Sequence, residues 1–139
     1  MNSHHHIGET DHGSDPFAAN IPDAAHRNPH FRTAFWTGHH LQMTLMYIPP
    51  CGEIGVEMHP DTDQLIRVEE GAVVIHMGAC ENQLNSMRHL GAGDAVFVPC
   101  GTWHNVVNHS QCPAKLSSCY APPHHPRGTI HHTKVDTEQ

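Results

Sequence analysis

The chain runs to 139 residues with a formal charge of −7, and its seven Lys and Arg lie scattered. That length sets an expectation of one domain with a real core, and so few dispersed cations exclude nucleic acid as a partner, because phosphate binding depends on clustered positive charge. No apolar run reaches the length of a bilayer span and the N-terminus shows no charged-then-apolar leader, so a cytoplasmic protein that engages no membrane is expected.

Residues 1–20 are polar and aperiodic and read as a mobile tail, in which His4, His5, His6 and His12 are either simply solvated or capture metal adventitiously. A folded domain is expected over residues 21–121. Its first strand spans residues 31–36, and a second spans residues 41–48 and stops at Pro49-Pro50. A strand running up to Gly71 is followed by another over residues 72–77, and a short helical turn over residues 81–87 is the most helix the periodicity allows. Three more strands follow at 95–98, 103–107 and 115–120, separated by turns at 91–93 and 110–113. Residues 122–139 carry Pro122, Pro123 and Pro126 with His124, His125, His131 and His132. Such a tail is no regular strand, and it wraps either the domain or a partner subunit. Many short strands with Gly and Pro punctuation specify an all-β sandwich or barrel. Five cysteines, an odd number with no C-x-x-C pair, read as reduced thiols.

Two blocks carry chemistry. In Gly93-Asp-Ala-Val-Phe-Val-Pro99-Cys-Gly101-Thr-Trp-His104-Asn-Val-Val-Asn108 a strand, a sharp turn and a second strand follow one another. His104 shares parity with Val106, so an inward Val106 brings the imidazole inward too. About forty residues earlier, Glu57, His59, Asp61, Asp63 and Gln64 crowd together before a strand in which Gln64, Ile66 and Val68 share one face. Convergent imidazoles, carboxylates and a carboxamide inside an apolar wall call for a metal ion. By contrast, His76, Trp103, Tyr47 and Cys100 read as outward or packing residues.

The two blocks resemble the two motifs of the cupin superfamily. The second motif, G-x5-P-x-G-x2-H-x3-N, is matched at every fixed position by Gly93, Pro99, Gly101, His104 and Asn108. The first, G-x5-H-x-H-x3,4-E-x6-G, is matched in part, with His59 at the first histidine, Asp61 at the second, Gln64 at the glutamate and Gly71 at the final glycine. The resemblance covers roughly residues 40–121 and implies a small single-domain jelly-roll β-barrel. It also implies one divalent ion, Fe, Mn, Ni or Zn, held by His59, Gln64, His104 and either Asp61 or Asp63. Glu57 shares the parity of His59 and reads either as a general base facing the cavity or as a strand-surface carboxylate. Two functions remain open on these residues. One is a metal-dependent enzyme of oxygenase, isomerase or lyase type acting on a small oxygen-rich metabolite. The other is a non-catalytic cupin that binds or senses a small molecule around a structural metal. A homodimer paired through the strand at 31–36 is expected, because an unpaired aromatic edge is best covered by a second subunit.

Overall fold

A computed structural model describes residues 11–138. Nine strands follow one short helix: α1 (Ile21–Arg27), β1 (Arg32–Thr37), β2 (Gln42–Ile48), β3 (Asp63–Glu70), β4 (Ala72–Gly78), β5 (Ser86–Gly91), β6 (Ala95–Val98), β7 (Trp103–Val107), β8 (Ala114–Ala121) and β9 (Ile130–His131). They form a six-stranded sheet in the order β6-β3-β8-β2-β1-β9 and a three-stranded sheet in the order β5-β4-β7. The pairing is antiparallel, as in the expected jelly roll. Among the described residues no helix is long and apolar enough to cross a membrane.

Strand alternation sets what faces inward. On β3, Gln64, Ile66 and Val68 are buried while Asp63 and Arg67 are exposed, the parity expected from the sequence. Ile66, Val68, Met46, Ile48, Leu116, Ile75 and Val106 are essentially inaccessible and join the two sheets in one apolar core. Burial of each such side chain contributes roughly 1.5–3 kcal/mol. The core fills one end of the sandwich only. Across the six-stranded sheet, Gln64 lies opposite Tyr120, Gln42 opposite Tyr120 from the other side, and Thr44 opposite Ser118, so the other end is lined by polar groups.

Turn chemistry holds the strand ends. Gly71, at φ +86°, joins β3 to β4, and a Cβ there would lie 2.7 Å from the Pro113 carbonyl oxygen, so both backbone and space require glycine. Asn108 is fully buried, and its Nδ2 donates to the carbonyls of Ile48, Pro49 and Cys112 at 3.2, 3.2 and 2.8 Å. Its Oδ1 accepts from the Ser110 amide and hydroxyl at 2.9 and 2.8 Å. The motif asparagine is thus a clamp on the loops that close the end of the sandwich away from the polar lining.

Three features differ from the sequence expectation. The helix α1 was not expected, since seven residues give no periodicity; its signals are the cap, in which Asn20 Oδ1 accepts from the Asp23 amide at 2.9 Å, and Pro22 in the first turn. Residues 81–87 form no helix, because Cys80 and Gln83 bridge and β5 begins at Ser86. The termini differ in detail, since the chain from Asp11 onward packs on the domain and the C-terminal segment contains a short strand. His4, His5 and His6 lie outside the described residues, but Asp11 is buried, accepting from Thr37 Oγ1 at 2.6 Å and from the Gly128 amide at 2.9 Å. The C-terminal segment supplies β9, which pairs with β1, so the edge on which dimer pairing was expected is covered by the chain itself. All five cysteines are unbridged.

Candidate metal centre

The polar end of the sandwich gathers its side chains from four places. His104 enters on β7 with 3 % of its surface exposed. Its Nδ1 lies 3.0 Å from the Thr102 carbonyl oxygen, which only accepts, so the ring proton sits on Nδ1 and the Nε2 lone pair points into the site. Residues 53–57 run antiparallel to β7: the Glu57 amide donates to the His104 carbonyl at 2.8 Å and the His104 amide returns the bond at 2.9 Å. Glu57 is thereby fixed beside His104. Two residues on, His59 is held through its carbonyl, which accepts from the Gly101 amide at 2.8 Å, so the turn that delivers His104 also seats His59.

The ligand atoms of Glu57, His59 and His104 lie within 4.8 Å of one another, and the two imidazole rings stand 5.5 Å apart. Glu57 Oε1 is 3.7 Å from His59 Nε2. Burial pushes the Glu57 carboxyl up, but the neighbouring His59 ring and the charge of Arg32 outweigh it and hold the group below the ordinary carboxylate range. For His104 burial dominates and lowers the pKa, keeping the ring neutral and able to donate a lone pair.

Whether these residues suit a metal ion is decided by what they leave unpartnered. His59 Nε2, His104 Nε2 and Gln64 Oε1 are all buried without a hydrogen-bond partner in the protein. Gln64 spends its amide nitrogen on Ser118 Oγ at 2.8 Å, which leaves its oxygen as a lone acceptor. Buried ring nitrogens and a carboxamide oxygen without partners are costly unless something satisfies them, and the two imidazoles gathered on the Glu57 carboxylate fit a divalent ion of N and O preference.

The structure does not bring Asp61 or Asp63 to this group. Asp61 is exposed in the bend before β3. Asp63 opens β3 on the face opposite Gln64, and its Oδ1 accepts from the Cys100 amide at 2.9 Å. The carboxylate that joins the histidines is Glu57, for which the sequence suggested a base. With Glu57 and His59 at the two histidine positions of the first motif, four residues separate His59 from Gln64, within the three or four that the pattern allows.

Sequence reasoning missed three contributors. His124 lies at the mouth with its ring 4.1 Å from that of His59, and Tyr120, fully buried, stands 5.8 Å from His59. Arg32, 2 % exposed, places Nη2 3.8 Å from Glu57 Oε2. Arg32 shares parity with Ala34 on β1, a signal of an inward cation. Nothing in the sequence marks His124 apart from the other tail histidines. His125 sits behind His124, and burial first, then the charge of Arg32, lowers its pKa to about 2.

Comparison with known proteins agrees with the geometry. The family model described as a cupin domain matches residues 44–121. The uncharacterized protein YrkC of Bacillus subtilis (strain 168) is 48 % identical over 126 residues, covering 91 % of this chain and 68 % of its own length. The uncharacterized protein L612 of Acanthamoeba polyphaga mimivirus is 34 % identical over 115 residues, covering 82 % of this chain and 70 % of its own. The crystal structure of BH2720 from Bacillus halodurans is similar at 49 % identity and a TM-score of 0.91, covering 93 % of this chain and 98 % of that one. With the family model spanning more than half of its length, the chain belongs to the cupin domain family.

Proposed function

We propose that the protein holds one divalent metal ion through His59, His104, Glu57 and Gln64 and acts as a metal-dependent enzyme on a small oxygen-rich metabolite. The observation that carries this reading is the convergence of two buried imidazoles, each with an unpartnered Nε2, on one carboxylate. When bound, the ion supplies Lewis acidity, polarising a ligand oxygen and stabilising negative charge that develops on it. One carboxylate and a neutral carboxamide leave the ion net positive, which favours anionic or enolisable oxygen ligands.

The chain's own residues divide the remaining work. Thr102 fixes the tautomer of His104, Ser118 engages the Gln64 amide nitrogen and leaves its oxygen free, and Tyr120 packs edge-on against the His59 ring. His124, at the mouth and held neutral by burial first, offers a ring nitrogen that can accept or return a substrate proton. Oxygenase, isomerase and lyase chemistry all suit such a centre.

A second reading, a binding or sensing cupin with a structural metal, is favoured by the depth of the site. His59 is only 6 % exposed and the His124 ring lies against it. Exchangeable water on the bound ion supports catalysis, and a closed shell supports the second reading.

The test is elemental analysis of untagged protein lacking residues 1–10 and purified without added metal. About one equivalent of one metal is expected, lost in His104→Ala. A variant that keeps a full equivalent overturns the proposal. The C-terminal histidines must stay in place, because β9 belongs to the sheet.

A further inference from the structure

Besides Thr44 Oγ1 and His125 Nε2, two kinds of buried polar atom are left without partners here. His104 Nε2 and Gln64 Oε1 are lone pairs, joined by His59 Nε2 when its ring proton is on Nδ1, whereas Arg32 Nε is an N–H that calls for an acceptor. Arg32 is 2 % exposed, a rare state for a guanidinium, which is almost always paired when out of water. Its pairing here is incomplete. Nη1 meets His131 Nδ1 at 3.1 Å, the Phe31 ring lies 5.4 Å from Cζ, and Nη2 stands 3.8 Å from Glu57 Oε2, beyond hydrogen-bond range.

Glu57 lies between the two kinds, with Oε1 3.7 Å from His59 Nε2 and Oε2 3.8 Å from Arg32 Nη2. The lone pairs and the guanidinium are therefore separated by the width of one carboxylate, within the reach of a molecule of a few carbons. Glu57 and Arg32 cancel in charge, so a divalent ion held by neutral histidines and a carboxamide leaves its two positive charges uncompensated in a buried site. An anionic ligand relieves that imbalance.

Resting on the metal reading above, we infer that Arg32 is the anion-binding residue of this site: the metabolite is a small carboxylic acid whose carboxylate engages Arg32 while a neighbouring oxygen faces the metal donors. The class is a 2-oxo or 2-hydroxy acid or a short dicarboxylate. The planar fork of arginine matches a carboxylate, whereas a neutral diol or sugar would leave the Nε hydrogen unmet.

The test uses the full chain, Mn2+ and oxalate, followed by titration calorimetry. Mn2+ is titrated into metal-free wild type, Arg32→Gln and Arg32→Lys, and oxalate is then titrated into each loaded protein. Arg32→Gln is expected to bind Mn2+ as tightly as wild type or tighter, since a positive charge near the ion is gone. Its oxalate affinity falls roughly tenfold to a hundredfold, and Arg32→Lys recovers only part of this. Equal oxalate affinity in wild type and Arg32→Gln overturns the inference, as does a Mn2+-loaded wild type that takes no oxalate. Wild type that binds no Mn2+ overturns the metal reading itself. Should Arg32→Gln fail to fold, a crystal structure of the wild-type protein with Mn2+ and oxalate decides. An oxalate oxygen within hydrogen-bond distance of Arg32 is expected, and oxalate turned away from it refutes the assignment.

Discussion

Replacing His104 by leucine separates a metal-binding histidine from a structural one. Without metal, wild type keeps His104 Nε2 buried and unpartnered, at a cost of about 1–3 kcal/mol, and its Nδ1 bond to the Thr102 carbonyl contributes about 1 kcal/mol. Leucine removes both, in a similar volume, so the metal-free variant is expected to be as stable as wild type or more stable by up to about 2 kcal/mol. With metal the order reverses. An ion at a hundredfold excess over its Kd adds about 2.7 kcal/mol to wild type. For a chain of this size that raises Tm by roughly 8–13 °C. The assay is a thermal melt of each protein, lacking residues 1–10, with chelator and with Mn2+ or Zn2+. The wild-type shift should be largely absent in His104→Leu. A variant melting more than about 10 °C below wild type in chelator would show the imidazole to be structural, and an unchanged metal-induced shift would place the ion elsewhere.

Asn108→Ala strips three carbonyls and Ser110 of their partner at once and should cost about 3–5 kcal/mol in urea unfolding; a loss under about 1 kcal/mol would mean that water replaces the clamp. His104, His125, His124 and His131 are all held below the ordinary histidine value of 6.5, by burial first. The unfolded chain therefore takes up protons first, and stability, complete above about pH 7, falls as pH drops below 6.5. The slope is up to about 1.4 kcal/mol per pH unit for each of His104 and His125, and less for the more solvated His124 and His131. Chelator-treated protein that is equally stable in urea at pH 7.5 and pH 5.5 would contradict this. Self-association as a homodimer remains expected, but at β6, the free edge of the large sheet, where Phe97 is 74 % exposed. Light scattering should give twice the 15.4 kDa chain mass and Phe97→Glu the single mass; a wild-type monomer at high micromolar concentration removes the claim.

The second motif was legible because each of its fixed residues has a local reason that sequence spacing preserves. Gly101 sits at φ +82° in the turn, His104 takes the parity of Val106, and Asn108 caps the loops four residues on. The first motif was harder because its ligands straddle an irregular stretch. Period-two parity placed Gln64 on a regular strand but says nothing across the bend at Pro60 and Asp61, so Asp61 and Asp63 stood as the alternative carboxylate ligands and Glu57 was read only as a base. Only the pairing of residues 53–57 with β7, a contact between segments about fifty residues apart, selects Glu57. The short helix and β9 escaped for a related reason: seven and two residues carry too little periodicity, and β9 exists because β1 offers it an edge.

The C-terminal segment shows how a tail with no pattern of its own becomes part of a site. Gln42, fully buried on β2, receives the amides of His124 and His125 on its oxygen at 3.1 and 3.0 Å and donates its nitrogen to the His125 carbonyl at 2.8 Å. A carboxamide that satisfies three backbone groups of a crossing segment does what a strand partner would do, without requiring extended backbone, so three prolines are tolerated. Farther on, Arg127 and Gly128 both bond to Asp11, and β9 then pairs with β1. His124 is thus carried on a stretch pinned at both ends, and its place against His59 follows from those anchors rather than from any preference of the imidazole. Because the anchors lie in the barrel interior and at β1, the strand that also carries Arg32, the tail, the anion-binding residue and the metal donors share one framework. A substitution at Gln42 would therefore reach the site without touching a ligand.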